Sequence, residues 1–188
     1  QILTKLHPDI TWIIRIHSEI PFWSTEGVAM DWSLRYLDYP NVMLAPNSDR
    51  LYKDLQIVLS VKYDENTIQD RVIYLPNYYP ADKKSTNDPG DRRVLNVGCF
   101  GSIRPYKNQL IQAVASIAYA KKTNRRLVFH INGNRVEGAG DPIIKNIRLL
   151  FANATNGFEL VEHPWAPHSD FLEVISKIDI GLQVSLTD

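Results

Sequence analysis

Glycines and cations near the middle of the chain are the residues best suited to bind an anion. Residues 97–108 read Val-Gly-Cys-Phe-Gly-Ser-Ile-Arg-Pro-Tyr-Lys-Asn, an apolar segment followed by a glycine turn and a helix start. Glycine lets the backbone approach a ligand closely, and the free N–H groups of a helix start attract anions. Arg104 and Lys107 add two positive charges beside Gly101 and Ser102. The segment predicts a diphosphate site, and the alternative is a solvated loop with ordinary surface charges.

Further polar groups follow the next two apolar segments. Asn132, Gly133 and Asn134 come directly after one, and Trp165 and Ala166 lie in a stiff, proline-containing loop after the other. Ligands of open α/β sheets bind beyond the carboxyl ends of the strands, so these five residues are candidates for the same pocket. For Trp165, a hydrophobic plug over the end of the sheet is equally compatible with the sequence.

A histidine ends the first apolar run of the chain. His17 is followed at short distance by Glu19, which makes two polar groups at the carboxyl end of a predicted strand. An imidazole in that position can hydrogen-bond a ligand hydroxyl, and Glu19 can supply a second polar contact. A purely structural role for His17 fits the sequence equally well.

Composition excludes several classes of function. The chain has 188 residues with 21 basic and 21 acidic side chains, a formal net charge of +0, and thus no bias toward nucleic acid or anionic membranes. The single cysteine, Cys99, excludes an internal disulfide, and no Cys/His cluster has zinc spacing, which together favour a cytoplasmic protein without a metal. No apolar run reaches the roughly 18 residues of a membrane span. The glycine spacing is not the Gly-x-Gly-x-x-Gly dinucleotide pattern, which argues against NAD.

The elements that must position these residues alternate between strand and helix. Short apolar runs separated by segments of helical period are typical of βα units in a parallel sheet, so the predicted fold class is α/β. The predicted strands are 11–17, 41–45, 71–75, 94–100, 126–132, 158–163 and 178–185, and the predicted helices are 27–37, 48–60, 107–122, 142–154 and 168–177.

A polar, proline-containing stretch divides the chain. Residues 80–92 lack a hydrophobic period and are predicted to be a linker between residues 1–79 and residues 93–188. Three predicted strands are few for a complete α/β domain, and the chain begins at Gln1 rather than at Met. We therefore expect a fragment of a longer protein, with the first domain incomplete at its front and the second at its end.

Several segments resemble, in the same order, the landmarks of glycosyltransferases with the GT-B fold, especially the retaining family 4 group, also called glycosyl transferases group 1. These proteins have two Rossmann-like parallel-sheet domains, one for the acceptor and one for a nucleotide-sugar donor. The glycine loop at 97–108 is similar to the family's Gly-Arg-x-x-x-x-Lys-Gly loop. The other matching segments are Thr-Trp-Ile-Ile-Arg-Ile-His-Ser at 11–18, Ala-Pro-Asn-Ser at 45–48, Val-Ile-Tyr-Leu-Pro-Asn at 72–77, Phe-His-Ile-Asn-Gly at 129–133 and Ile-Asp-Ile-Gly-Leu-Gln-Val-Ser at 178–185.

The resemblance implies transfer of a sugar from a nucleoside diphosphate sugar to the hydroxyl of a saccharide, lipid or protein, with retention and with neither a metal nor a further cofactor. Arg104 and Lys107 would then bind the diphosphate. The donor-side residues would be Gly101, Ser102, Asn132, Gly133, Asn134, Trp165 and Ala166, while His17 and Glu19 would face the acceptor. Residues 1–79 would belong to the acceptor domain and residues 93–188 to the donor domain.

Two departures from the family pattern stand out, and two other classes of function stay open. When Gly101 and Lys107 are aligned, the family's arginine falls at Ser102, so Arg104 would have to act from two residues further on. The family's acidic motif, a pair of glutamates, would lie beyond Asp188.

A nucleotide-sugar epimerase or a phosphorylase of the same architecture is the first alternative. The second is a non-catalytic α/β module for ligand binding or assembly.

Overall fold

The computed structural model describes residues 2–24, 27–78, 91, 93–154 and 157–185. The chain divides into two compact units, the first built from the described residues up to Tyr78 and the second from those between Asp91 and Ser185. Apart from Asp91, the predicted linker 80–92 lies outside the described residues.

The first unit is a small α/β layer around two parallel strands. Strand β1 pairs with strand β2 in a register that runs from Trp12↔Val42 to Ile16↔Pro46. Leu44 lies at its centre, fully buried among the leucines of the helix that follows β2. The elements in order are α1 (Ile2–Leu6), β1 (Trp12–Ile16), α2 (Ile20–Trp23), α3 (Ala29–Tyr36), β2 (Val42–Pro46), α4 (Asp49–Leu59) and α5 (Glu65–Arg71).

The predicted third strand, residues 71–75, is wrong as a full strand. Arg71 ends α5, and Val72 forms an isolated parallel bridge with Leu44. The chain stays extended beside β2, because Ile73 N donates to Leu44 O at 2.9 Å and Leu75 N donates to Pro46 O at 3.1 Å. A second bridge needs an N–H from Pro46, and proline has none. Proline thus truncates the ladder although the strand direction was predicted correctly.

The second unit is a four-stranded parallel sheet with helices between its strands. The order of the strands is β5-β4-β3-β6, the layout of the first four strands in a doubly wound dinucleotide-binding sheet. The elements in order are β3 (Val94–Cys99), a 3₁₀ turn (Pro105–Lys107), α6 (Gln109–Lys122), β4 (Arg126–Ile131), α7 (Asp141–Ala152), β5 (Phe158–Glu162), α8 (His168–Ile175) and β6 (Ile180–Gly181). Across both units, the eight α-helices and six strands of the described residues confirm the α/β, parallel-sheet fold class.

The core of the second unit lies on one face of this sheet. Alternate residues of β3 and β4 are buried against α6 and α7, and Phe129 stacks on Phe151 of α7 with ring centroids 5.6 Å apart. The regular alternation fixes which side chains point away from this core, including Asn96 of β3 and His130 of β4. The two faces of the sheet therefore differ, one apolar and one partly polar.

The last predicted strand, 178–185, is much shorter than expected. The N–H of Asn96 donates to the side-chain Oδ2 of Asp179 at 2.7 Å, so the backbone ladder begins later, at Ile180. Leu182 N still donates to Gly98 O at 2.7 Å. Beyond that point β3 has ended and the chain turns away at Gly101, so the residues that follow Leu182 lie past the end of that strand.

None of the helices within the described ranges combines the length and the apolar character that crossing a bilayer requires.

Candidate functional site

The glycine turn after β3 opens the candidate site. Gly101 has φ +110°, a conformation that other residues rarely adopt, and a Cβ placed there would meet nothing within 4 Å. Glycine is therefore needed for the backbone angle rather than for lack of space. The N–H of Gly101 donates to Asn132 Oδ1 at 3.0 Å, which joins the end of β3 to the end of β4.

The loops that follow β3 and β4 pair with each other. Ile103, fully buried, donates its N–H to Arg135 O at 2.7 Å and accepts from Glu137 N at 3.0 Å. Gly140 packs so closely on this pair that an added Cβ would lie 2.1 Å from Ile103 O. Ser102 and Asn132 are both buried in this joint, so the two loops that carry the predicted donor-side residues pack directly against each other.

Lys107 lies beneath the turn rather than on its surface. Only 8% of the residue is exposed, and its charge acts on the nearby thiol of Cys99. Burial raises the pKa of Cys99 to about 12 despite that charge, so the thiol stays protonated.

The predicted start of the following helix, at residue 107, is wrong. Lys107 ends a 3₁₀ turn, Asn108 has φ 56°, and α6 begins at Gln109, because a left-handed residue interrupts a right-handed helix. Asn108 Nδ2 donates to Val184 O at 3.0 Å, and Gln112 Nε2 donates to Lys107 O at 2.7 Å. The bond from Gln112 joins Lys107 to α6. The bond from Asn108 holds the loop that contains Lys107 against the segment that follows β6, at the point where the strand order reverses.

Arg104 faces a carboxylate that the sequence analysis did not single out. Its Nη1 lies 3.8 Å from Glu137 Oε2, and Arg135 Nε donates to Glu137 Oε1 at 2.6 Å. The hydrogen bond from Arg135 is the main cause that lowers the pKa of Glu137, with smaller contributions from Ser102 and from the charge of Arg104. An Arg-x-Glu sequence directly after the Asn-Gly-Asn of a strand end is the signal that would have identified this pair.

Gly133 is required for a reason different from that of Gly101. A Cβ at Gly133 would lie 1.9 Å from Glu162 Oε2, and Arg148 holds this carboxylate through bonds of 2.8 and 2.7 Å. The hydrogen bond to Arg148 lowers the pKa of Glu162, so the pair stays charged and in place. Asn134, next in the chain, is exposed to solvent at the same edge of the sheet.

An exposed aromatic ring borders the same edge. Trp165 follows β5 and is 71% exposed, and the guanidinium carbon of Arg135 lies 5.1 Å from its ring centroid. Ala166 beside it is half-buried. The plug predicted as the alternative role of Trp165 does not fit so exposed a ring, whereas a flat face at the rim of a pocket does.

Behind the site, two histidines pair on the sheet face that points away from the core. His130 Nδ1 lies 2.9 Å from His163 Nε2, and His130 Nε2 lies 3.3 Å from Asn96 Oδ1. Burial, with a smaller effect from His163, lowers the pKa of His130 to about 4, and burial also lowers the pKa of His163. Both rings are therefore neutral at physiological pH and act as packing and hydrogen-bonding groups.

The acceptor-side candidates lie in the first unit. His17 is exposed directly after β1 and borders a cleft of about 270 Å³ between β1, α2 and α3. Glu19 is held in place, since Ser48 Oγ donates to Glu19 Oε1 at 2.5 Å while the same Oγ accepts from Leu51 N at 3.0 Å. The geometry thus gives Glu19 a structural contact with the start of α4 and leaves His17 facing solvent.

The structure brings together all nine candidates of the second unit on three neighbouring loops. Within the described residues, no group of three or more His, Cys, Asp and Glu side chains is arranged to hold a metal ion. The groups that the three loops carry are instead the cations Arg104, Lys107 and Arg135 and the aromatic face of Trp165. Such a set is suited to a ligand that combines an anionic group with a planar ring.

Comparison with known proteins defines the fold as that of the GT-B glycosyltransferases. No protein-family model matches the chain, and no curated protein sequence matches it. Among solved structures it is similar to TarM, with a TM-score of 0.60, 14% identity, and coverage of 94% of this chain and 32% of TarM. It is also similar to trehalose-6-phosphate synthase, studied for glycosyl transfer with retention, with a TM-score of 0.62, 12% identity, and coverage of 93% of this chain and 47% of that one. The chain therefore spans less than half the length of either of these glycosyltransferases.

Proposed function

We propose that this chain is part of a glycosyltransferase that moves a sugar from a nucleoside diphosphate sugar to an acceptor hydroxyl. The proposal rests on the turn at Gly101, which lies at the carboxyl edge of a Rossmann-like sheet. Open space surrounds this glycine, and the same loop carries the buried Lys107 and Arg104. This edge, where the strand order reverses, is where such sheets bind nucleotides. The chain shares its fold with two glycosyltransferases, which supports glycosyl transfer as the use of such a site.

In the proposed reaction the bond between the sugar's anomeric carbon and the diphosphate oxygen breaks, and a bond to the acceptor oxygen forms. Negative charge grows on the departing diphosphate, while the acceptor's proton passes to the diphosphate or to solvent. Lys107 and Arg104 would stabilise that charge. Retention at the anomeric carbon and independence from metal ions belong to the proposal through the family resemblance.

The remaining roles follow from position. Gly101 and Ser102 would line the diphosphate, and Asn132, Gly133 and Asn134 the sugar or ribose. Trp165 and Ala166 would border the base, because an exposed ring at the rim offers a stacking face. His17 and Glu19 would belong to the acceptor side.

The cytoplasm stays the proposed location, because the described chain carries its single cysteine buried and unpaired.

Calorimetric titration with UDP, GDP and ADP tests the proposal. We expect one of these to bind, and we expect the Lys107→Met variant to lose at least about 10-fold in affinity, as the loss of one cation at a phosphate implies. Methionine retains most of the apolar stem of the buried lysine and removes its charge, and thermal denaturation of the variant checks that the fold is kept. Lys122→Met, on the exposed end of α6, is the matched control. Equal affinities of the wild type and Lys107→Met for every nucleotide would refute the diphosphate assignment.

A further inference from the structure

Three donors of the candidate site converge on a single carboxylate. Arg135 Nε donates to Glu137 Oε1 at 2.6 Å, Arg104 Nη1 lies 3.8 Å from Glu137 Oε2, and the Ser102 side chain also hydrogen-bonds this carboxylate. Two guanidinium groups and a hydroxyl around two oxygens form the kind of donor set that binds a phosphate group. The candidate anion site is therefore already occupied by an anion of the protein itself, the carboxylate of Glu137.

The backbone of Glu137 is fixed, whereas its side chain lies at the surface. Glu137 N donates to Ile103 O at 3.0 Å, and Glu137 O accepts from Gly140 N at 3.1 Å. Its side chain is 37% exposed, compared with 20% for the side chain of Arg104. The carboxylate is thus the more accessible member of this pair, and rotation about its side-chain bonds can move it without disturbing the loop.

The contact between Arg104 and Glu137 is weak enough to be exchanged. At 3.8 Å it exceeds hydrogen-bond distance, so the attraction is Coulombic and is screened by the water that reaches the carboxylate. A diphosphate carries more charge and more acceptor oxygens than one carboxylate. It is the stronger ligand for the same cations, and its own charge repels a glutamate that stays in place.

We propose that Glu137 is an internal competitor for the anion site, which occupies Arg104 and Arg135 in the free protein and swings away when a diphosphate binds. The nucleotide identity of that diphosphate rests on the proposed function, whereas the competition itself applies to any phosphate anion of similar size. The opposite role, a glutamate that positions Arg104 for its ligand, predicts an effect of opposite sign.

Titration with inorganic pyrophosphate and with UDP separates these roles. We expect Glu137→Gln to bind pyrophosphate about 3- to 10-fold more tightly than the wild type, because the charged contacts of the carboxylate with Arg135 and Arg104 no longer have to be broken and a like charge is gone. The difference should shrink at high salt. Glu159→Gln, an exposed residue at the start of β5, makes the same change of charge away from the site and should leave the affinity unchanged.

Other outcomes are equally decisive. Unchanged or weaker pyrophosphate binding by Glu137→Gln overturns the inference, and so does the absence of pyrophosphate binding by both proteins. If Glu137→Gln melts early, Glu137→Asp keeps the charge on a shorter side chain and should show an intermediate gain in affinity. If Glu137→Gln strengthens pyrophosphate binding while UDP, GDP and ADP bind no better than pyrophosphate, the competition stands and the nucleotide assignment fails.

Discussion

Gly101 and Gly133 differ in how far their roles can be predicted from the sequence. Gly101 lies between an apolar strand and two cations, a pattern that predicts a turn, and its φ of +110° fits that prediction. Gly133 is required because Glu162 approaches it from the next strand, a contact that depends on the register of β4 and β5. Side-chain contacts between neighbouring strands cannot be predicted from a local sequence pattern.

At the residue scale, the pair of His130 and His163 predicts how stability depends on pH. The pKa of folded His130 is about 4, below its ordinary value of 6.5, so on acidification the unfolded chain takes up a proton first. The free energy of unfolding is therefore full above pH 6.5 and falls as the pH drops toward 4. We expect the contribution of His130 to lower the free energy of unfolding by about 1 kcal/mol over this interval, a figure that is reduced for the partial exposure of the ring.

Urea denaturation at several pH values measures this effect. The His130→Gln variant should show a smaller slope between pH 6.5 and 4, and what remains should come from His163 and from carboxylates such as Glu137 and Glu162, whose pKa is lowered in the folded protein. The matched control is His7→Gln, a change of the same kind at an exposed residue of the first unit. A slope in His130→Gln equal to that of the wild type would contradict the neutral state of the half-buried histidine pair.

Elements whose signals are local were predicted well. Strands β1 to β5 were each predicted from an apolar run, within one or two residues at either end, and α4 from an N-cap serine and buried leucines spaced four apart. The short helices α2 and α5 were not predicted, because four and seven residues are too few for a visible period. The predicted strand at 71–75 and the predicted end of the last strand were wrong, because the length of each depends on the N–H and C=O groups that the neighbouring strand presents.

At the element scale, the contact between Ser48 and Glu19 predicts the stability of α4. Ser48→Ala removes the bond to Leu51 N and should cost about 1 kcal/mol in urea denaturation. Ser48→Asp, ordinarily a good N-cap, should not restore that stability, because it sets a second carboxylate beside Glu19, which now accepts from Ser48 at 2.5 Å. Ser48→Asn should restore it, and Ser60→Ala at the far end of the helix is the control. Full recovery by Ser48→Asp would contradict a charged Glu19 at this cap.

For the whole molecule, the order of motifs carried more information than any single motif. Each segment that resembles the GT-B pattern is short, yet their succession pointed to a fold that the structure shares with two glycosyltransferases at 14% and 12% identity. Topology survives at such identity because it depends on patterns of burial rather than on particular residues. Donor, sugar and acceptor are set by a few side chains, and their assignment to this chain remains a prediction.

We propose that a nucleoside diphosphate binds the loops of the second unit. Amide hydrogen exchange with and without saturating UDP, or whichever nucleotide binds more tightly, tests it most directly. We predict slower exchange in the presence of nucleotide at residues 101–109, 132–135 and 163–166, with the rest of the second unit and the cleft beside His17 unchanged. Slower exchange at His17 and α3 without protection of the turn at Gly101, or no protection at saturating nucleotide, would contradict the account.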